Sequence, residues 1–180
     1  DGTVVLGNYI GTDANGSAPL AYDGGGASQQ MGVALWDGPT NTFGGSGLGE
    51  GNLISGNSWH GLYIWGPNAS GNTIQGNTIG LDATGTFGVG NGSDNPASRS
   101  GIALSSTTGN VVGGVNAGEG NVIAGNDAAG ASVTASGSNS FLGNDFYDND
   151  GVALDIGLDG ISANDPLDID TGPNDDLNHP

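Results

Sequence analysis

Apolar and polar residues alternate along this chain in short runs that return at fixed spacing. The pattern Asn-x-φ-x-Gly, in which φ is a large apolar residue, begins at Asn41, Asn52, Asn72, Asn110, Asn121 and Asn139. A second pattern, Gly-φ-x-φ, begins at Gly32, Gly61, Gly101 and Gly151, with a weaker copy at Gly130. Such alternation over three to five residues predicts short strands with one buried face. Gly or Asn at each end supplies the left-handed residue of a turn.

A longer repeat contains both patterns. Shifting the sequence by 69 residues aligns 7–61 with 76–130 without a gap and gives 21 identities in 55 positions. Self-similarity at a fixed period is the signature of a solenoid. We therefore predict an all-β fold, a right-handed parallel β-helix of six to seven coils with insertions at 12–31 and 81–100. Residues 1–156 would form the β-helix, and 157–180 an acidic closing segment.

The repeat units resemble a known family. The segments NLISGNSWHGLYI (52–64) and NTIQGNTIGLDATG (72–85) are similar to the right-handed parallel β-helix repeat of secreted bacterial surface proteins, in the pectate-lyase-like superfamily. The segment 157–180 resembles the one that often closes such arrays. The resemblance implies the fold and an extracellular or cell-surface location. It leaves the function open, because the same repeat serves lyases, hydrolases, adhesins and structural proteins.

The composition and charge of the chain exclude some classes of binding partner. Only 34% of residues are hydrophobic and 38 are Gly, which suits a thin, continuous core better than a globular one. One basic residue against 19 acidic ones gives a net charge of −18, which repels nucleic acid and anionic lipid. No apolar run is long enough to cross a bilayer. The chain has no Cys and begins at Asp1, so we expect a processed or excised secreted protein without disulfides.

Catalytic residues are not apparent. The resemblance implies that a lyase would take a proton with Arg or Lys, whereas Arg99 is the only basic residue and lies in an insertion. His60 and His179 are isolated. Asp148 and Asp150 would face one side of an extended strand about 6–7 Å apart, a separation that suits an inverting glycosidase, although Asp is also a common turn residue. We expect a non-enzymatic protein, with a polysaccharide lyase or hydrolase as an alternative.

Acidic residues are concentrated near the C-terminus and suggest calcium. Carboxylate and carbonyl oxygens without Cys favour Ca²⁺ over softer metals. We predict calcium ligands at Asp165, Asp168, Asp170, Asn174 and Asp175, and a weaker set at Asp145, Asp148 and Asp150.

Two surfaces suggest a function. Trp36, Trp59, Tyr63 and Trp65 could form a sugar-stacking platform, a subunit contact or buried packing. Val4, Val5 and Leu6 enter the repeat without a charged edge or helical cap and could pair with another copy. The favoured hypothesis is an extracellular structural protein that assembles head to tail with calcium. The alternative is an adhesin module that binds polysaccharide.

Overall fold

The computed structural model describes residues 2–20 and 30–160 of the chain, and within these ranges every regular element is a strand. The fifteen strands form three parallel sheets of five. Sheet A contains β1 (Val4–Val5), β4 (Thr42–Gly44), β7 (Thr73–Gln75), β10 (Val111–Gly113) and β13 (Ser140–Leu142). Sheet B contains β2 (Tyr9–Ile10), β5 (Leu53–Ile54), β8 (Thr78–Ile79), β11 (Val122–Ala124) and β14 (Asp145–Tyr147). Sheet C contains β3 (Val33–Trp36), β6 (Leu62–Trp65), β9 (Ser100–Ser105), β12 (Ala129–Thr134) and β15 (Leu154–Ile156).

Each circuit of the chain visits the three sheets in turn, so the predicted right-handed parallel β-helix is confirmed. The described part holds five coils, fewer than the expected six to seven. The difference arises because one motif occurs on two sheets. Asn41 and Asn72 precede strands of sheet A, whereas Asn52 precedes a strand of sheet B, so counting motifs does not count coils.

The core is a column of aliphatic side chains along the helix axis. In sheet B, Ile54 pairs with Ile79 and Ile79 with Ile123, and all three are fully buried. Equivalent positions in the other sheets hold Ile74, Val112, Leu62, Ile64, Ile102 and Leu104. Because each coil covers the apolar residues of the one below, a thin core excludes water at a modest hydrophobic content.

The 69-residue repeat corresponds to two coils. The first and third coils carry their long insertions between sheets B and C, whereas the second and fourth carry loops 45–51 and 114–120 between sheets A and B. The two insertions touch, since the backbone N–H of Ala83 donates to the carbonyl of Gly16 at 2.8 Å. Part of the second insertion is internal: Val89 and Asn91 are buried.

Three ladders of Asn side chains run along the turns. In each ladder the Nδ2 of one Asn donates to the Oδ1 of the Asn one coil further on, at 2.8–3.1 Å. The ladders contain Asn41, Asn72, Asn110 and Asn139; Asn8, Asn52, Asn77, Asn121 and Asn144; and Asn57, Asn91, Asn126 and Asn149. These bonds satisfy polar groups that the turns would otherwise bury without partners.

Both ends of the described solenoid are open strands. β1, β2 and β3 pair with a neighbour on one side, as do β13, β14 and β15. Val5 and Leu35 are half-buried at the first end, and Phe141 and Phe146 at the other. Residues 161–180 lie outside the described ranges, so the predicted boundary at 157 stays a prediction. No helix that could span a membrane occurs in the described residues.

Candidate functional site

Among the described residues, the largest cluster of aromatic side chains lies on the outer surface of sheet C. Strand alternation turns Leu35 and Ile64 inward, so their neighbours along the strands project outward. Register then decides which outward residues meet: Trp36 pairs with Trp65, and Ala34 with Tyr63. Side chains 29 residues apart in sequence therefore become direct neighbours on one face.

Three of these rings form one continuous surface, which we call the aromatic face: Trp36, Tyr63 and Trp65. The ring centroids of Trp36 and Trp65 are 5.1 Å apart at 60°, and those of Trp36 and Tyr63 are 5.9 Å apart at 89°. Such tilted and edge-to-face contacts are the favoured geometry of aromatic pairs. Trp36 remains 59% exposed, whereas Tyr63 and Trp65 are half-buried. Three of the four residues considered for a platform are thus brought together, with part of their area open to solvent.

His60 supports this surface from beneath. Its ring stacks on Tyr63, with centroids 5.1 Å apart and planes 17° from parallel. The backbone N–H of Ser100 donates to His60 Nδ1 at 3.1 Å, so the neutral ring carries its proton on Nε2. Burial, with a smaller contribution from the nearby Arg99 charge, lowers the pKa of His60 to about 4. The imidazole is therefore neutral at pH 7, and it holds Tyr63 in place.

Trp59 and Arg99 extend the surface on the side of His60. The Arg99 guanidinium carbon lies 4.1 Å from the centroid of the Trp59 ring, a cation–π contact. The register of β6 with β9, continued to the residues just before β6, aligns Trp59 with Arg99 and His60 with Ser100 in successive coils. This alignment explains both the Trp59–Arg99 contact and the His60–Ser100 bond. Of the four predicted platform residues, Trp59 is the one joined to the aromatic face through His60.

His60 and Arg99 were not predicted to belong to this surface. A signal for them exists in the repeat. Aligning Gly61 with Gly101 puts Arg99 at the position of Trp59 in the next coil, and Ser100 at that of His60. The spacing of His60 and Tyr63 within the chain gives no such signal, because residues three apart on a strand would face opposite sides.

The remaining predicted sites are scattered. Val4 and Val5 form β1 and Leu6 follows it; Val4 and Leu6 are exposed. Asp145 lies on the outer side of β14 and is exposed. Asp148 has a φ of 51° and follows the end of β14, so it occupies a turn rather than an extended strand.

Asp150 lies close to Asp127 of the preceding coil and influences its pKa. Burial, and then the charge of Asp150, raises the pKa of Asp127. The two carboxylates border a cleft that Pro96 and Ala97 line. The pKa of Asp127 is raised mainly because burial disfavours its charged form, and further because Asp150 approaches it across stacked turns.

Comparison with protein families identifies the chain's relatives. The model of the family described as periplasmic copper-binding protein (NosD) matches residues 27–157. The chain belongs to the NosD family. The matched range spans sheet C from β3 to β15, including the aromatic face. No curated protein and no solved structure matches the chain significantly.

The family description supports a location at a coarse level. It places NosD proteins in the periplasm, which agrees with the expected secreted or envelope location. It names copper as the ligand of the family, and copper sites in proteins use Cys, Met and His. This NosD-family chain has no Cys, one Met and two His. The Nδ1 of His60 accepts the backbone N–H of Ser100, and residues 2–20 and 30–160 contain no group of three or more His, Cys, Asp or Glu that could hold a metal ion. The described residues therefore do not fit copper.

The calcium prediction is wrong. The NosD description names copper rather than calcium, and no group of three or more His, Cys, Asp or Glu in residues 2–20 and 30–160 could hold a metal ion. Asp145, Asp148 and Asp150 are exposed and separated by the turn after β14, so their carboxylates stay solvated instead of converging. The predicted ligands Asp165, Asp168, Asp170, Asn174 and Asp175 lie outside the described residues.

Proposed function

We propose that this NosD-family chain is a non-catalytic binding module, secreted or held in the cell envelope, that binds polysaccharide on its aromatic face. The observation that carries the proposal is the contiguous surface of Trp36, Tyr63 and Trp65 on sheet C. A Trp that is 59% exposed costs free energy in water unless a ligand covers it.

Rigidity supports this function. The rings are fixed by strand register and by contact with one another, and Tyr63 also stacks on His60. A preorganised surface loses little side-chain entropy when it binds a ligand. The apolar C–H face of a sugar ring can pack on the π-face of Trp while its hydroxyl groups stay in water.

A binding role without catalysis is supported by the state of the nearest titratable groups. His60 is neutral at pH 7 and its Nδ1 accepts a bond from Ser100, so that nitrogen is not open to a substrate. The acid pair considered from the sequence, Asp148 and Asp150, lies past the end of β14 in sheet B rather than on the aromatic face. The family description likewise names binding.

The experiment is a binding screen against immobilised plant and bacterial polysaccharides, followed by titration calorimetry. We expect the wild-type chain to bind at least one neutral or weakly acidic polysaccharide. Trp36→Ala should weaken that binding roughly tenfold or more, as truncation of a central aromatic contact does. Tyr147→Ala is the matched control, since Tyr147 is an exposed aromatic on sheet B. Failure to bind any polysaccharide, or equal loss in both variants, would overturn the proposal.

A second candidate is head-to-tail assembly with copies of itself. The edges of β1, β2 and β3 are open, and Val5, Ile10 and Leu35 are only half-buried there. A second copy that continues the three sheets would cover these apolar side chains, and a heterologous contact of this kind produces open filaments. Calcium has no part in this version of the hypothesis.

Light scattering over a range of protein concentrations tests the assembly. The expected result is growth of the particle mass with concentration, and fibres in electron micrographs. Val5→Asp should abolish that growth, whereas Val115→Asp, at a loop residue that is 82% exposed, should leave it intact. A constant monomer mass at all concentrations would rule the assembly out.

A further inference from the structure

We propose that Arg99 is an anion subsite beside the aromatic face, and that the preferred ligand is a largely neutral polysaccharide carrying isolated uronic acid carboxylates. This inference rests on the proposed function, and it names the substrate class of the same surface.

Arg99 has an unusual charge environment. It is the only basic residue of the chain, against 19 acidic ones. In the described residues no carboxylate lies within ion-pairing distance of it, and its Nε is buried without a hydrogen-bond partner. Guanidinium groups in proteins normally find acceptors for their five N–H donors. Because it pairs with no acid among residues 2–20 and 30–160, this guanidinium has donors available for an external carboxylate.

Its position is fixed rather than free. The guanidinium lies over the Trp59 ring at 4.1 Å, and the adjacent Ser100 is bound to His60 and to Ser132. A cation–π contact uses the flat face of the guanidinium, and Nε is buried, so the two Nη groups in its plane are the donors that can bind a carboxylate at two points. Fixing the side chain in advance lowers the entropy lost on binding.

Arg99 is linked to the aromatic face through the buried ring of His60. Trp59, under Arg99, directly precedes His60 in the chain; His60 stacks on Tyr63, and Tyr63 contacts Trp36. In the proposed complex one oligosaccharide lies on the aromatic face and places a substituent at Arg99.

Charge at the opposite end of this surface limits how acidic the ligand can be. Asp37 follows Trp36 and is exposed, and the chain carries a net charge of −18. A polymer with an acid on every sugar would meet repulsion beyond Arg99, because charges within a Debye length of about 8 Å still interact at physiological salt. A single carboxylate at Arg99 avoids that repulsion. The geometry thus favours sparse acidic groups.

Titration calorimetry with four defined probes tests the inference: xylotetraose with and without one glucuronic acid substituent, and galactotetraose with and without one terminal galacturonic acid. The wild type should bind the acidic member of at least one pair roughly tenfold tighter than its neutral partner. Arg99→Gln should bind both members of each pair equally. Arg99→Lys should keep part of the preference, because it retains the charge but not the two-point geometry.

The outcomes separate the two proposals. Equal wild-type affinity for both members of every pair overturns the anion subsite and leaves the polysaccharide surface standing. A preference that survives in Arg99→Gln also overturns it. If none of the four probes binds, the subsite is overturned as well, and the wider polysaccharide screen then decides the proposed function separately. Thermal melting of Arg99→Gln and Arg99→Lys checks that both variants fold.

Discussion

The Nδ2 of Asn77 donates to the Oδ1 of Asn121 at 2.9 Å, one coil further along the solenoid. The same Nδ2 donates to the carbonyl of Phe43 at 2.9 Å, and the Oδ1 of Asn77 accepts from both the backbone and side-chain N–H groups of Asn52. One buried amide therefore links three coils. We therefore expect the ladder to stabilise the fold, and its contribution to the free energy of unfolding can be measured by substitution.

Truncating Asn77 should be costly. In Asn77→Ala the Phe43 carbonyl and the Asn52 amides lose buried partners, and we expect a loss of about 3 kcal/mol in the free energy of unfolding. Urea unfolding measures it. Asn68→Ala is the control, because Asn68 is exposed and should change the stability by less than about 0.5 kcal/mol. Equal effects in the two variants would contradict a stabilising role for the ladder.

The turns between sheets C and A contain residues in the left-handed backbone conformation, and substitutions there measure its free-energy cost. Ala135 has a φ of 47° there, and Gly109 has a φ of 69°. An L-residue pays roughly 1–2 kcal/mol for this conformation, and Gly does not. Ala135→Gly should therefore raise the free energy of unfolding by about 1 kcal/mol.

Gly109→Ala is the matched reverse change. A Cβ built at Gly109 meets nothing closer than 4.0 Å, so only the backbone angle opposes it. We expect a loss of about 1 kcal/mol. If both substitutions shift the unfolding midpoint in the same direction, backbone strain does not control these turns.

His60 should make stability depend on pH. Burial lowers its pKa from 6.5 to about 4 in the folded chain, so between those values the unfolded chain binds more protons. Its contribution is present above pH 6.5 and is lost as the pH falls through 4, by about 3 kcal/mol in all. Urea unfolding from pH 7 to 4 should show this decline in the wild type relative to His60→Gln. Carboxylates titrate in both proteins and cancel, so parallel curves would argue against the assignment.

Asp82 should stabilise the turn formed by residues 82–87 in the second insertion. Its carboxylate accepts from the backbone N–H groups of Thr86 and Phe87 and from the Thr84 hydroxyl, and the Thr86 bond contributes most to lowering its pKa. In Asp82→Asn the charge is lost and these bonds weaken. Chymotrypsin should then cleave faster at Phe87, which is 68% exposed. Asp94→Asn, in the same insertion, is the control and should leave the cleavage rate unchanged.

The repeat in the sequence was enough to predict the fold. Alternating residues around Ile54 and Ile123 specify inward-facing strands, and Gly specifies left-handed turn residues, because these preferences are local. No Asn in the described residues has a positive φ, so Asn acts in the turns through the ladder bonds between coils. The 69-residue period places the two insertions at equivalent points of the repeat, and in the structure Ala83 of the second insertion contacts Gly16 of the first. The described residues form five coils where six to seven were expected, because one motif occurs on two different sheets.

The candidate site was predicted only in part. Trp36 and Trp65 occupy equivalent positions of the Gly-φ-x-φ pattern, so their stacking could be foreseen. The sequence could not tell whether they would be exposed, because exposure depends on what covers sheet C. Calcium was inferred from the clustering of acidic residues near the C-terminus, and closeness in sequence does not show whether carboxylates converge in space.

Sequence by itself determined the local choices in this protein: which residues face inward, where the chain turns, and that each coil rests on the one before it. The tertiary structure decided which distant side chains meet. Arg99 lies on Trp59, and Ser100 binds His60, because strand register aligns residues 40 positions apart. Such contacts depend on how many residues of an insertion lie between two strands. The folded coil decides at which residue the chain re-enters the sheet after the insertion.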